Sequence, residues 1–283
     1  PVFMANIGTG FNTLPVTDIE IDPITDDIYA IGNFTQLNGV SRSRIMRIIG
    51  TGPTAGTIDA SYVVGTGLTG GNPYRCTMDP NGKLVVNSGQ ASFDVYNGTT
   101  VYNGGALSPT MVTRKTLIRI KPDGALDGAA ALAQGTQFEE IAASISNELD
   151  CQSNGYVICV GSFVLYNGTT VGRIVRLKSD GSIDGTFNFG GAGFSGQALS
   201  VVVMPGGQIL VGSALGATYN GVPQLCMSRL LSDGTPDPSF SIGPTGFNST
   251  VYCAVIDPLG GTIVGGQFTD FNGTTVNRIT RMP

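Results

Sequence analysis

The sequence predicts an all-β protein of 283 residues built from five copies of one unit, and three observations support this fold class. An Asn-Gly pair after a bulky apolar residue recurs at intervals of 59, 70, 53 and 52 residues, with its asparagines at Asn38, Asn97, Asn167, Asn220 and Asn272. An arginine follows each pair, delayed in the second copy by 13 inserted residues, at Arg47, Arg119, Arg176, Arg229 and Arg281. Short β-branched runs between glycine-rich turns fill the intervals. Such a period is typical of propellers and solenoids.

Each unit is predicted to contain four short strands in a fixed order. Two strands come first, joined by a tight turn, as in residues 201–203 and 208–212. The Asn-Gly pair follows, then the strand with the arginine, then an Asp-Gly turn and a short fourth strand. Asn-Gly and Asp-Gly tolerate the positive φ that two-residue hairpin turns require, and β-branched residues favour strands. Four antiparallel strands are the composition of one propeller blade.

The two ends of the sequence predict a closed ring. The last unit reaches Arg281 without a fourth strand, whereas the segment from Pro1 to Phe11 matches the stretch from Ser239 to Phe247. Pairing the N-terminal strand with the C-terminal blade would remove open sheet edges. We therefore predict one domain, residues 1–283, forming a single five-bladed β-propeller of four-stranded antiparallel blades. An open solenoid is the alternative, but it needs capping repeats and none is visible.

The third unit carries a resemblance to a known family. The string Val160-Gly161-Ser162-Phe163, the run Tyr166-Asn167-Gly168-Thr169 and the segments 173–177 and 179–184 resemble the delta-60 repeat. The resemblance extends over essentially the whole chain and implies a β-propeller. It also implies a setting among bacterial surface or secreted proteins and bacteriophage virion proteins. It implies no catalytic residues.

Composition narrows the classes of function. A net charge of −5 and a pI near 4.6 weigh against nucleic-acid binding. No apolar run is long enough to insert into a membrane. The sequence has no histidine and five scattered cysteines, so we predict no metal, no cofactor and buried free thiols. The N-terminus shows no signal peptide, which favours synthesis in the cytoplasm of a host cell, although a signal already removed is the alternative.

The Asn-Gly loops are predicted to form a rim that could bind a glycan or a partner protein. An aromatic ring can stack on a sugar and an amide can bind its hydroxyls, but the same residues could instead pack between blades and make the turns. The predicted rim residues are Tyr96, Asn97, Tyr166, Asn167, Tyr219, Asn220, Phe271 and Asn272.

Three other features are candidates for binding. The insertion in the second unit is a candidate interaction loop through Tyr102 and Asn103, or a plain surface loop. The Asp-Gly turns could hold calcium, although two recurring carboxylates per loop are few for that ion. The five arginines are predicted to be structural, each pairing with an aspartate, with a ring of anion-binding arginines as the alternative.

We predict that the chain is not an enzyme but a bacteriophage virion component, attached to the tail or the capsid. Its partners would be other virion proteins and a host-surface glycan, its location the virion, and its role structural or adhesive. A secreted or surface lectin-like glycan-binding propeller is the main alternative, which would place the chain outside the cell. A glycosidase is a more distant one, because the carboxylates outside the repeat landmarks show no clear catalytic spacing.

Overall fold

The computed structural model describes residues 2–12, 14–88, 93–96, 99–100, 112–114, 117–127, 138–140 and 146–282. This part of the chain consists almost entirely of short β-strands, with one helix, α1 (Val2–Asn6), so the all-β prediction is confirmed. No helix among these residues has the length and apolar character needed to cross a membrane. The chain divides into two compact units, which are larger than the sequence repeats. The first unit comprises residues 1–143 with 179–181, and the second unit comprises residues 144–178 with 182–283. The assignment of residues 1–283 to a single domain stays a prediction.

The first unit contains three three-stranded antiparallel sheets, β1-β2-β5, β6-β9-β10 and β7-β8-β12. In each of them the strand named second is the central one. In chain order the strands are β1 (Val16–Ile21), β2 (Ile28–Gly32), β3 (Gln36–Leu37), β4 (Val40–Ser41), β5 (Ile45–Ile48), β6 (Leu68–Gly70), β7 (Arg75–Met78), β8 (Leu84–Asn87), β9 (Phe93–Tyr96), β10 (Thr99–Thr100), β11 (Val112–Arg114), β12 (Leu117–Ile120) and β13 (Phe138–Glu140).

The second unit contains three sheets of the same order, β14-β15-β18, β19-β20-β23 and β24-β25-β28. Strand β14 lies beside β19, and β19 lies beside β24, so consecutive sheets pack through their first strands. In chain order the strands are β14 (Ser146–Cys151), β15 (Val157–Gly161), β16 (Leu165–Tyr166), β17 (Thr169–Thr170), β18 (Ile174–Leu177), β19 (Ala198–Val203), β20 (Ile209–Ser213), β21 (Thr218–Tyr219), β22 (Val222–Pro223), β23 (Met227–Leu230), β24 (Val251–Ile256), β25 (Thr262–Gly266), β26 (Asp270–Phe271), β27 (Thr274–Thr275) and β28 (Ile279–Met282).

Two central strands of these sheets, β15 and β20, are buried on both faces. Every residue of β15 and of β20 is buried, which explains why both sequences read as continuous apolar runs rather than as an alternating pattern. Side chains from β15, β19 and β20 form one hydrophobic core, and a second core lies between β24, β25 and Phe247. Burial on both faces therefore results from packing one sheet against the next.

The predicted fourth strand is reduced to a single bridge, which corrects the expectation of four-stranded blades. In the second unit Leu230 bridges Pro236 and Leu177 bridges Ile183; in the first, the bridges are Ile48 with Ile58 and Ile120 with Leu126. The chain turns away after one pair because the next residue is an aspartate whose side chain pairs with an arginine. The order of the strands is as predicted, but the fourth strand pairs with the arginine strand through one residue pair only.

The Asn-Gly pairs at Asn38, Asn167, Asn220 and Asn272 make the tight hairpins that the sequence predicts. The asparagine φ angles lie between 48° and 51° and those of the following glycines between 76° and 82°. Positive φ at both positions defines the type I′ turn, whose twist matches that of the flanking strands. Asn97-Gly98 lies outside the described residues.

The N-terminal segment is a helix rather than the predicted strand, so its pairing with the C-terminal sheet is not observed among the described residues. Helix α1 packs within the first unit, where Phe3 and Ile7 contact the core around Phe34. The Asn6 side-chain amide donates to the Ala55 carbonyl at 2.8 Å. The sequence match to the stretch around Phe240 reflects a similar packing position of Phe3, but it did not predict the secondary structure of the N-terminal segment.

Candidate functional site

Arg176 and Asp184 form a nearly buried ion pair at the end of β18. The Arg176 Nε donates to Asp184 Oδ2 at 2.7 Å, and the Asp184 amide donates to the Arg176 carbonyl at 2.9 Å. The other carboxylate oxygen accepts the amide and hydroxyl of Thr186. The guanidinium carbon lies 4.9 Å from the centre of the Phe187 ring, within the range of a cation–π contact. The pair therefore ties the strand to the segment after its Asp-Gly turn.

Equivalent Arg–Asp ion pairs occur in both units, in the geometry expected of structural arginines. Burial on its own raises the pKa of Asp184, but the hydrogen bonds from Thr186 and the Arg176 charge outweigh it and hold that pKa below its usual value. The same balance lowers the pKa values of two further aspartates, Asp59 and Asp127. The corresponding Nε–Oδ2 distances are 2.6 Å for Arg47–Asp59, 2.5 Å for Arg119–Asp127 and 2.7 Å for Arg229–Asp237.

Arg281 departs from this pattern because its partner, Asp257, lies in the turn between β24 and β25. Its side chain is 50% exposed, against 9% for Arg176. The Arg281 hydrogen bond is the main cause that lowers the pKa of Asp257, whereas the Ser239 hydroxyl is the main cause that lowers that of Asp237. Arg281 is thus the most accessible member of the five pairs.

The Asp-Gly turn of one sheet docks on the preceding sheet in the second unit. The Arg176 Nη1 donates to the Ser232 carbonyl, and the Asn188 amide donates to the Asp233 carbonyl at 2.7 Å. Gly234 packs against Phe187 so closely that a Cβ there would lie 2.8 Å from the ring. A backbone turn without a side chain is therefore required at this contact.

The first unit repeats this contact with different residues. The Arg47 Nη1 donates to the Pro122 carbonyl at 2.9 Å, and the Val63 amide donates to the Asp123 carbonyl at 3.0 Å. A Cβ at Gly124 would lie 2.7 Å from the Val63 nitrogen. One guanidinium donor and one amide donor thus recognise two successive carbonyls of the turn in both units.

The predicted rim tyrosines are buried, which contradicts their proposed use as sugar platforms. Tyr96 and Tyr219 are 0% exposed and Tyr166 is 1% exposed. The Tyr219 hydroxyl donates to the Gly234 carbonyl at 2.6 Å and the Tyr96 hydroxyl to that of Gly124 at 2.5 Å. The rings pack inside the hairpins because each hydroxyl completes the contact with an Asp-Gly turn.

The rim asparagines join each hairpin to the loop that precedes its sheet. Asn220 donates its amide to the Gly193 carbonyl at 2.9 Å, and its Oδ1 accepts the Gly193 amide at 2.8 Å. The same two-way contact joins Asn272 with Gly246 and Asn38 with Gly10. These amides are occupied by the protein itself. Asn167 adopts the same turn conformation, with a φ of 48°, whereas Asn97 and the insertion residues Tyr102 and Asn103 lie outside the described residues.

A groove remains open beside Arg229, and sequence reasoning missed it. Its volume is about 370 Å³, and we define the Arg229 groove by its lining residues Arg229, Phe240, Ser241, Phe271, Asn272 and Met282. Arg229, Phe240 and Ser241 correspond to Arg176, Phe187 and Asn188 of the preceding sheet, and Phe271 corresponds to Tyr219.

Two hydrogen-bond donors in the Arg229 groove have no acceptor within hydrogen-bond distance in the part of the chain that the structure describes. They are the Arg229 Nη1 and the Ser241 amide, whose counterparts bind the carbonyls of Ser232 and Asp233. Phe240 and Phe271 are half-buried, whereas their counterparts Phe187 and Tyr219 are buried. The Arg229 groove is therefore lined by two aromatic rings and by the two residues that carry these donors. No cluster of metal-ligating residues is found in the described ranges.

A family profile described as "Domain of unknown function (DUF5122) beta-propeller" matches residues 152–187 and 205–240. The prediction of a β-propeller repeat is confirmed at this level. Both matched stretches contain the second strand, the Asn-Gly hairpin, the arginine strand and the Asp-Gly turn. No curated protein matches the chain.

Several solved structures are similar to the chain at low identity. A putative gluconolactonase is 14% identical with a TM-score of 0.46, over 93% of this chain and 72% of the other. A gluconolactonase from Xanthomonas campestris is 11% identical with a TM-score of 0.47, over 95% and 71%. A putative glucose dehydrogenase from Thermus thermophilus is 15% identical with a TM-score of 0.42, over 92% and 80%.

These names correct two of the sequence-based predictions. These three structures are named as enzymes, two of them as putative, and none of the three as a virion component, so the prediction of a non-enzymatic bacteriophage protein is wrong on this comparison. At such identities and TM-scores the similarity assigns no activity, substrate or catalytic residue to this chain. The expected partners and location are not tested and stay predictions.

Proposed function

We propose that the chain is a polypeptide-binding β-propeller and that the Arg229 groove is its binding site. The observation that carries this proposal is a pair of hydrogen-bond donors, the Arg229 Nη1 and the Ser241 amide, that have no acceptor among the described residues. Their counterparts in both units bind two successive backbone carbonyls. Carbonyls at that spacing are a property of a polypeptide chain, which favours a peptide over other ligands.

We also propose that five of the three-stranded sheets are the blades of one closed, five-bladed ring of the delta-60 type: β1-β2-β5, β7-β8-β12, β14-β15-β18, β19-β20-β23 and β24-β25-β28. The support is the common order of strands in these five sheets and the profile match to two of them. An experimental structure with the five sheets in an open array would overturn the ring.

A peptide library tests the binding function. Random peptides displayed against the 283-residue chain should yield binders that Ser241→Trp loses, because an indole at this exposed position would fill the Arg229 groove. Ser41→Trp, on the exposed hairpin strand β4, is the matched control and should bind as the parent does. Both variants should melt at the parent temperature. Binders that are unaffected by Ser241→Trp, or no binders at all, would reject the groove as a peptide site.

A further inference from the structure

We propose that Asn81 is a site of spontaneous modification, at which the side-chain amide is lost and an isoaspartyl or aspartyl residue is formed. Asn81 precedes Gly82 in the turn Asp79-Pro80-Asn81-Gly82, which joins β7 to β8. The reaction needs only these two residues and water, and it adds one negative charge to the first unit. It does not involve the Arg229 groove, so it is independent of the peptide-binding function.

The reaction is an attack of a backbone nitrogen on the neighbouring side chain. The Gly82 nitrogen, after losing its proton, forms a bond to Asn81 Cγ, and the bond between Cγ and Nδ2 breaks. The side-chain nitrogen leaves as ammonia, together with the proton that the backbone lost, and a five-membered succinimide ring remains. Water then opens the ring at either of its carbonyls, which gives aspartate or isoaspartate. Glycine favours the attack because it has no side chain to hinder the close approach.

The hairpin asparagines are restrained against this attack, because hydrogen bonds hold both ends of the side-chain amide. Asn220 Nδ2 donates to Asn188 Oδ1 at 2.7 Å, while Asn220 Oδ1 accepts the Gly193 amide at 2.8 Å. Asn272 Nδ2 likewise donates to the Ile242 carbonyl at 2.7 Å. The Cγ atom of such a side chain can turn towards the following nitrogen only after these bonds have broken.

Two other Asn-Gly pairs lie in exposed turns between the first and second strands of a sheet, and they differ in one hydrogen bond. In the turn from β14 to β15, Asn154 Oδ1 accepts the Tyr156 amide at 3.0 Å. In the turn from β7 to β8, Asp79 Oδ1 takes the equivalent Lys83 amide at 3.0 Å and also the Asn81 amide at 2.8 Å. The exposed side-chain amide of Asn81 is therefore left without a hydrogen bond among the described residues.

The backbone nitrogens of these two turns are equally engaged, so the side chain is the difference between them. The Gly82 amide donates to the Asp79 carbonyl at 2.9 Å, and the Gly155 amide donates to the Gln152 carbonyl at 2.8 Å. Opening either turn frees an equivalent nitrogen for the attack. The rate then depends on how often the side-chain Cγ is free to meet that nitrogen, and this is more often the case at Asn81.

A third turn of the same kind shows where the side chain at this position points. Between β24 and β25, Asp257 Oδ1 accepts the Leu259 amide at 2.7 Å and the Gly261 amide at 3.1 Å. Leu259 occupies the position of Asn81 in this turn and is 88% exposed. Where an aspartate holds both amides, the side chain between them therefore projects into solvent, which supports the freedom of the Asn81 side chain.

Peptide mapping by mass spectrometry tests this inference after incubation of the 283-residue chain in warm, mildly alkaline buffer. We expect Asn81 to convert about fivefold faster than Asn154, the effect of one ordinary hydrogen bond, and at least about tenfold faster than Asn220, which is held by two. In concentrated urea the three sites should convert at rates within about twofold of one another, because these hydrogen bonds are lost. Equal rates at Asn81 and Asn154 in the folded chain, or a preference for Asn81 that persists in urea, would overturn the proposal.

Exchanging the residue that holds the amides should move the reactive site. Gln152→Asp places a carboxylate at the position of Asp79, where it should take the Tyr156 amide and release the Asn154 side chain. We expect conversion at Asn154 to rise about fivefold, while that at Asn81 stays as in the parent chain. Conversion at Asn154 that keeps the parent rate in a folded Gln152→Asp chain would contradict the role of the hydrogen bond. The comparison of the folded parent chain with the same chain in urea needs no variant, so it tests the proposal even if Gln152→Asp does not fold.

Discussion

At the scale of single residues, the recurring arginine has more than one role at the same time. Arg176 neutralises Asp184, stacks on Phe187 and donates to the neighbouring sheet through Nη1. A guanidinium suits this combination because it is planar and carries donors in fixed directions. A lysine could make one of these contacts but not all of them. This explains why the repeat uses arginine at this position in all five copies.

Replacing Arg176 should show how strongly the fold depends on the buried pair. Arg176→Met keeps an apolar stem but leaves the Asp184 carboxylate buried without its partner, so we expect unfolding to become easier by about 3–5 kcal/mol. Equilibrium urea denaturation measures the change. Arg281→Met is the matched control and should alter stability little, because Arg281 is half exposed. Equal effects of the two substitutions would contradict the importance of burial.

At the scale of elements, the order of strands was predictable from the sequence but their lengths and some identities were not. Asn-Gly and Asp-Gly specify backbone conformations locally, so their hairpins appear where predicted. The fourth strand shortens to one bridge because the Arg–Asp pair redirects the chain, which is a tertiary effect. Helix α1 replaces a predicted strand for a similar, tertiary reason, because Phe3 packs against the core around Phe34 from a helix.

The buried rim tyrosines give the clearest test of how a hairpin contacts the next turn. Tyr219→Phe removes the hydroxyl that bonds the Gly234 carbonyl, so we expect a loss of about 0.5–1.5 kcal/mol in the free energy of unfolding. Tyr252→Phe, at an exposed position of β24, is the control and should be close to neutral. Urea denaturation of both variants measures the difference. A neutral Tyr219→Phe would mean that ring packing alone holds the hairpin.

The tyrosines also show why the candidate site was only partly predictable. An aromatic residue beside an asparagine is equally consistent with a sugar-binding platform and with a packed turn. Only the burial of the aromatic side chain distinguishes the two. The Arg229 groove left no motif of its own. It is recognised only through the docking contacts seen at Gly124 and Gly234.

At the scale of the whole molecule, the five Arg–Asp pairs should make stability depend on pH. Each carboxyl has its pKa held below the usual value in the folded state, at Asp59, Asp127, Asp184, Asp237 and Asp257. Their stabilisation is complete above the unfolded pKa of about 3.9 and is lost as the pH falls through the lower folded values. Asp18, whose pKa is raised by burial, acts in the opposite direction.

We therefore expect the melting temperature to fall steeply between about pH 4 and pH 2, since five groups outweigh one. Thermal denaturation followed by circular dichroism from pH 7 to pH 2 measures this. Asp184→Asn should lower stability at pH 7 and flatten the acid limb, because one of the linked protons is removed. Stability that stays constant or rises below pH 4 would contradict the role assigned to the pairs.

The docking of the Asp-Gly turns at Gly124 and Gly234 has a direction, since one partner offers carbonyls and the other offers donors. The two surfaces differ, so a contact of this kind between copies of the chain would be heterologous rather than two-fold symmetric. Such contacts close into rings or extend into filaments, depending on the rotation between neighbours. A contact between a carbonyl surface and a donor surface therefore has a built-in polarity for assembly.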